Sequence, residues 1–200
     1  MAEGSGAGAP SSARRPFHIA AIALSIIGAL LVGVLAIGLI LPGEWRAETE
    51  AWIEAEPTEV YDHVTSADGW GRWTPMPESG IEALAPAQGH QGGWSWDDPA
   101  YGQGVFTILE SDPPHRLDYR VEVEGGSLVT DGRMTLHAES GGTRIQWREE
   151  GDFGWNPLLG YVAAQMPDTQ GEQMEQSLER LSSLVTEGRV PEGSEGETER

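Results

Sequence analysis

Three rhythms of apolar and polar positions run along this chain. From Phe17 to Leu41, 25 residues pass without a charge, and only His18 and Ser25 are clearly polar. About 20 apolar residues span a bilayer, so the pattern predicts one transmembrane helix over 17–41, tilted to absorb the excess. From Trp45 the rhythm becomes two-fold. Ala47, Thr49, Ala51, Ile53 and Ala55 alternate with Arg46, Glu48, Glu50, Trp52 and Glu54, which predicts a first strand. Pro57 then opens a short helix, where its missing N–H costs nothing, and Val60, Tyr61 and Val64 give that helix an apolar side. Ala67 to Trp73 reads as a second helical turn, stopped by Pro75. Six strands are predicted next, at 80–86, 92–97, 104–111, 116–124, 127–139 and 143–150, most of them separated by Gly or by Pro-Pro. In 116–124, Leu117, Tyr119, Val121 and Val123 face one way, and Asp118, Arg120, Glu122 and Glu124 the other. That is the pattern of an antiparallel sheet with one wet face. The last rhythm is helical: within Asp168–Glu187, Met174, Leu178, Leu181 and Val185 recur at helix spacing.

The order is therefore strand, short helices, a run of strands, long helix, which is an α+β layout. A curved antiparallel sheet of six or seven strands gripping the C-terminal helix would bury every apolar face and enclose a space between sheet and helix. Residues 1–16 (mostly Gly, Ala, Ser and Pro) and the acidic tail 188–200 lack core formers and are expected to be disordered. The folded domain is expected over 45–187.

Charge sharpens this picture. The chain carries 12 basic residues, all Arg, against 32 acidic ones, a formal net charge of −20. Residues 1–41 contribute +1, from Glu3, Arg14 and Arg15, so the remainder carries −21. Such a surface repels phosphate backbones, and nucleic acid is not expected as a partner. With no cysteine, disulfide frameworks, thiolate metal sites and thiol nucleophiles are excluded. Arg14 and Arg15 precede the apolar stretch, whereas Arg46 follows it among Glu44, Glu48 and Glu50. The positive-inside rule then places the N-terminus in the cytoplasm and the domain outside, anchored in the cell membrane. A cleaved signal has an apolar region of about 7–15 residues; this one is longer, and no small-x-small site follows Leu41. Phe17 and Trp45 stand near its ends, where aromatic rings favour the interface. Ala21, Ser25, Ala29 and Gly33 form a small-residue stripe that would suit a weak homodimer through the helix, although an Ala/Gly-rich span also produces such stripes by chance.

The segments "EAWIEAEPTEVYDHVTSADGWGRWTP" (50–75), "GQGVFTILESDPPHRLDYRV" (102–121), "GGTRIQWREEGDFGWNPLLGY" (141–161) and "GEQMEQSLERLSSLV" (171–185) together resemble the START / Bet v 1-like (SRPBCC) superfamily, and within it the polyketide cyclase/dehydrase and lipid-transport group. The resemblance covers roughly 46–187 and implies a helix-grip fold. For function it implies only a broad class, because the superfamily holds carriers, cyclases and hydrolase-like members.

The residues themselves carry no HExxH, P-loop or GxSxG pattern. His63, His90, His115 and His137 are scattered through different elements, so neither a metal nor a cofactor is expected. The strand 143–150 is more informative: Ile145, Trp147 and Glu149 share parity. Combined across strands, parity puts Tyr119, Val121, Met134, Leu136, Ile145, Trp147 and Glu149 on one face, with Met174, Leu178 and Leu181 of the helix opposite. These ten residues are the predicted lining of a cavity of about 300–1,000 Å³. Glu149 is the best candidate for a catalytic base of raised pKa, or for an anchor to a ligand hydroxyl; a purely structural carboxylate paired with Arg is the alternative. Trp94 and Trp96 share one side of their strand, and with Trp147 they suit an amphipathic ligand or ordinary core filling. Three functions stay open: a membrane-anchored binding domain for a hydrophobic or lipid-like molecule, a cyclase or dehydratase acting in the same cavity, and an interaction protein with a filled core.

Overall fold

Exposed hydrophobicity marks the first element. In the computed structural model, which describes residues 15–86 and 88–188, α1 (Arg15–Gly38) is one long helix. Its Ile19–Gly38 portion has a mean hydropathy of 2.7 and no buried surface to speak of. Such an N-terminal apolar helix is a candidate membrane span or signal sequence. Compared with the expected 17–41, the regular helix stops at Gly38, and Leu39 to Leu41 complete it as a turn bonded back to Leu35 and Ile37. Ser25 Oγ donates to the Ala21 carbonyl at 2.9 Å, an internal bond along the small-residue stripe. The expected disordered ends, 1–16 and 188–200, lie outside the described residues apart from Arg15, Pro16 and Gly188.

The alternating segments pair as one antiparallel sheet. Its strands are β1 (Glu44–Ile53), β2 (Glu82–Ala83), β3 (Gly93–Asp98), β4 (Gly102–Asp112), β5 (Arg116–Val123), β6 (Leu128–Glu139) and β7 (Gly142–Asp152). Their order is β1-β7-β6-β5-β4-β3-β2. β1 crosses to pair with the last strand because α2 (Pro57–Asp62) and α3 (Ala67–Trp70) carry the chain from one sheet edge to the other. A register shift between Ile108 and Glu110 bends β4 against β5, as a bulge does. α4 (Leu159–Ala163) and the long α5 (Met166–Glu187) close the domain. α5 begins two residues before the predicted start, at Met166, with Pro167 in its first turn. The result is a helix-grip α+β fold: a seven-stranded sheet wrapped around one C-terminal helix.

The two faces of the sheet differ as the alternation requires. The outer face is a lattice of ion pairs: across strands, Arg120 with Asp131 at 2.7 Å, Arg133 with Asp118, Arg46 with Glu150 at 3.0 Å and Arg144 with Glu139 at 2.8 Å, and along β7, Arg148 with Glu150 at 2.6 Å. Apart from Asp118, which is buried, these side chains are substantially exposed, so each of the other pairs contributes at most about 1 kcal/mol. The inner face holds the core. Ile53, Val60, Val64, Leu117, Met134, Leu136, Ile145, Met174, Leu178 and Leu181 are all essentially inaccessible. Trp45 is also buried and packs against Phe153 at a ring separation of 6.2 Å. It is thus part of the domain core, not the interfacial ring expected from its place after the apolar helix.

Candidate ligand-binding site

The site is built on one row of side chains running across three strands. Register places Tyr119 of β5 opposite Gly132 of β6, and Gly132 opposite Glu149 of β7, with Ala47 of β1 beyond. Gly132 is what lets the row close up. A Cβ there would sit 2.0–2.5 Å from the Tyr119 ring atoms, so only a residue without a side chain allows the phenol to lie across β6. The Tyr119 hydroxyl thereby reaches Glu149 and donates to its Oε1. Trp147 Nε1 donates to the same hydroxyl at 2.7 Å, and Gln170 Nε2, from the first turns of α5, donates to Glu149 Oε2 at 2.6 Å.

Burial pushes the Glu149 carboxyl above its ordinary range, and the hydrogen bonds from Tyr119 and Gln170 offset part of that rise. The Tyr119 phenol is pushed well up, first by burial and then by the neighbouring carboxylate, so it is a neutral donor at physiological pH. A carboxylate offers about four acceptor positions. Tyr119 and Gln170 occupy two, leaving capacity for a further donor.

A cleft of about 220 Å³ opens beside this cluster. Its walls are aromatic: Trp70 from α3, Trp94 and Trp96 from β3, Phe106 from β4, and Tyr119 and Trp147. Trp94 stacks on Phe106 at 3.9 Å, and Phe106 on Tyr119 at 4.7 Å. Trp70 meets Tyr119 and Trp147 edge-on, at 5.3 and 5.8 Å. Its own indole N–H is tied to the Val64 carbonyl at 2.7 Å, and that of Trp73 to the His63 carbonyl at 3.0 Å, which fix the α2–α3 connection over the sheet. Thr74 to Pro77, Tyr101, Thr130 and Gln173 complete its lining. Depressions on the outer face, one of about 330 Å³, are lined by Asp118, Asp131, Arg133 and Arg148, whose charges are already engaged with one another.

Four of the ten residues predicted to line a cavity do so: Tyr119, Val121, Trp147 and Glu149. The other six, Met134, Leu136, Ile145, Met174, Leu178 and Leu181, are packed in solid core instead. The reason lies along the strand axis. Leu136 pairs with Ile145 toward the Ile53–Thr143 end of the sheet, where α5 and α2 press directly on it. Toward the Glu44–Asp152 end, α3, the 74–77 segment and Gln170 and Gln173 of α5 border the face, and the small residues Gly132 and Thr130 leave space between them. The cleft is accordingly smaller than the roughly 300 Å³ lower bound expected of small-molecule sites. Trp70, Phe106, Thr130, Gln170 and Gln173 were not foreseen. Thr130 shares parity with Met134 and Leu136 on β6, Phe106 pairs across strands with Val121, and Gln170 lies one turn before Met174 on the same helix face, but its polarity hid it from an apolar pattern. Among the described residues, no three His, Asp or Glu side chains group as metal ligands.

The family model for polyketide cyclase / dehydrase and lipid transport matches residues 44–186, the whole extent of sheet and gripping helix. The chain belongs to this family. Solved structures share its fold. Protein CV1439 from Chromobacterium violaceum is 22% identical, with a TM-score of 0.51 over 70% of this chain and 96% of that one. Ara h 8.0201 is 16% identical, with a TM-score of 0.55 over 72% and 99%. DynU16, from the dynemicin biosynthetic locus, is 13% identical, with a TM-score of 0.52; the match covers 72% of this chain and 48% of DynU16. No match was found among curated proteins. Family membership fits a fold that binds hydrophobic ligands, and the aromatic cleft is where this member has room for one.

Proposed function

We propose that this protein is a membrane-anchored binding domain for a hydrophobic or amphipathic small molecule, with α1 as a single-pass anchor in the cell membrane, the N-terminus cytoplasmic and the domain outside. The observation that carries the reading is a buried, hydrogen-bonded carboxylate at the floor of an aromatic cleft. Aromatic walls bind an apolar body, and Glu149, Tyr119 and Gln170 orient one polar group. Volume limits the occupant: an apolar cavity of about 150 Å³ accepts benzene, so about 220 Å³ suits one substituted ring or a short acyl segment. A larger ligand would project past Tyr101 and Gln173, both exposed at the rim.

A second reading makes Glu149 a general base in a cyclase or dehydratase. Its raised carboxyl pKa favours that role, and the hydrogen bonds it already accepts favour anchoring. An interaction protein with a filled core fits less well, since the cleft is open. The test is to purify the full chain from its native membrane in mild detergent and extract it with organic solvent for mass spectrometry. The expected result is one apolar class of compound, carrying a hydroxyl or other donor, at near-stoichiometric yield and unchanged in structure. A compound converted on incubation would favour the enzyme, and an extract matching bulk lipid would reject both.

A further inference from the structure

The stretch from Phe153 to Pro167 holds 15 residues without a charge, in a chain of net charge −20. It contains α4 and exposes large apolar groups: Trp155 is 88% accessible, Leu158 58% and Val162 44%. A patch of this kind on a strongly acidic domain calls for a covering partner. The structure shows what it sits beside. Tyr161 donates its hydroxyl to the Val34 carbonyl of α1 at 2.7 Å. Close backbone approach backs this contact: a Cβ on Gly38 would strike the Pro157 carbonyl, and one on Gly160 would strike Leu41. Val34 lies four residues before the end of α1, so about 6 Å of helix rise below it. Interfacial helices bury their apolar face about 5–10 Å into the headgroup boundary, which matches this depth.

The cleft shares that end of the molecule. α1 enters β1 at Glu44, which pairs with Asp152. Glu149 is three residues from that strand end, Thr130 is two residues into β6, and Tyr101 lies in the β3–β4 turn. Gln170 is in the first turns of α5, directly after α4. At about 3.3 Å per strand residue, the polar cluster stands within about 10 Å of the anchored end.

Resting on the reading of α1 as an anchor, we propose that residues 153–163 form a second, peripheral contact with the lipid bilayer, lying in the interface beside α1. This contact holds the mouth of the cleft toward the headgroups, so that a ligand passes between bilayer and cleft without crossing bulk water. Trp155 is the interfacial ring, the role its amphipathic indole suits, and the acidic remainder of the domain keeps the distal end away from an anionic surface.

Because the chain has no cysteine, single-cysteine variants of the full protein can be spin-labelled cleanly in liposomes of phosphatidylcholine with one-fifth phosphatidylglycerol. Trp155→Cys and Leu158→Cys report on the patch, Ile27→Cys on the anchor, and Ser140→Cys on the distal β6–β7 hairpin. Collision with dissolved oxygen against a water-soluble nickel chelate reads depth. The proposal expects oxygen to dominate at 27, 155 and 158, with 155 and 158 shallower than 27, and the chelate to dominate at 140. Oxygen dominating at 27 while the chelate dominates at 155 and 158 would overturn the proposal and leave the anchor standing. The chelate dominating at 27 would overturn the anchor and the proposal with it. Oxygen dominating at 140 would overturn the orientation.

Discussion

Tyr119→Phe removes one oxygen and leaves the ring in place against Phe106 and Trp70. That oxygen donates to Glu149 and accepts from Trp147 Nε1. Losing a hydrogen bond to a charged group costs about 1.5–3 kcal/mol, and stranding the buried indole N–H costs about 1–3 kcal/mol more. The two losses share partners and are not additive, so a total of about 2–5 kcal/mol is expected. The cost should also depend on pH, with a definite sign. The Tyr119 bond holds the Glu149 carboxyl down against the rise caused by burial, so deleting the bond raises that pKa further. The destabilisation therefore grows as pH rises through the titration of Glu149 and is smallest in acid, where only a bond to a neutral carboxyl is lost. Urea unfolding of the detergent-solubilised chain at pH 4.5 and pH 8, followed by near-ultraviolet circular dichroism, measures both effects. A cost under about 0.5 kcal/mol at both pH values, the size of a surface substitution, would mean that the hydroxyl bonds water and the cluster does not exist.

Three further outcomes follow from the same packing. Gly132→Ala should cost about 1–3 kcal/mol by overpacking and, by tilting Tyr119 off Glu149, should reproduce the pH dependence of Tyr119→Phe; unchanged unfolding would contradict the close approach over β6. Leu181→Ala empties a fully packed site, so a loss of about 3–5 kcal/mol is expected in denaturant titrations, and a loss under 1 kcal/mol would mean that α5 does not grip the sheet. For Glu149→Gln the linkage runs from burial: the folded carboxyl sits above its ordinary value of 4.5, so folding favours the protonated form and the wild type loses stability as pH rises from that value toward the folded one. The variant should lack this loss, gaining on the wild type between pH 4 and pH 8, and parallel curves would refute the raised pKa.

How much of this was legible in the sequence depends on range. Alternation in Ala47–Ile53 and Leu117–Val123, and helical spacing from Met174 to Val185, are local signals, and they gave the strands and α5 within a few residues. Strand parity also identified the correct face for Glu149, because Ile145 and Trp147 beside it are apolar. Parity says nothing of position along a strand. Whether Met134 faces a helix or a void depends on where α5 and α2 land, and that is set by contacts between residues tens of positions apart. The role of Gly132 was invisible for a related reason: its importance comes from Tyr119 on the next strand, and no local pattern distinguishes it from a glycine in a turn. α4 escaped notice because Leu159–Ala163 is short and uniformly uncharged, with no polar face to create a period.

The central claim, that the cleft beside Glu149 holds a ligand, is tested most directly by native mass spectrometry of the full chain released from its membrane, alongside Thr130→Trp. Thr130 lines the cleft and is half-buried at its rim, so an indole there fills the space without entering the packed core. The account predicts a discrete added mass on the wild type and a bare polypeptide mass for Thr130→Trp, with the two showing the same circular dichroism. An equal added mass on both, or none on either, would contradict it.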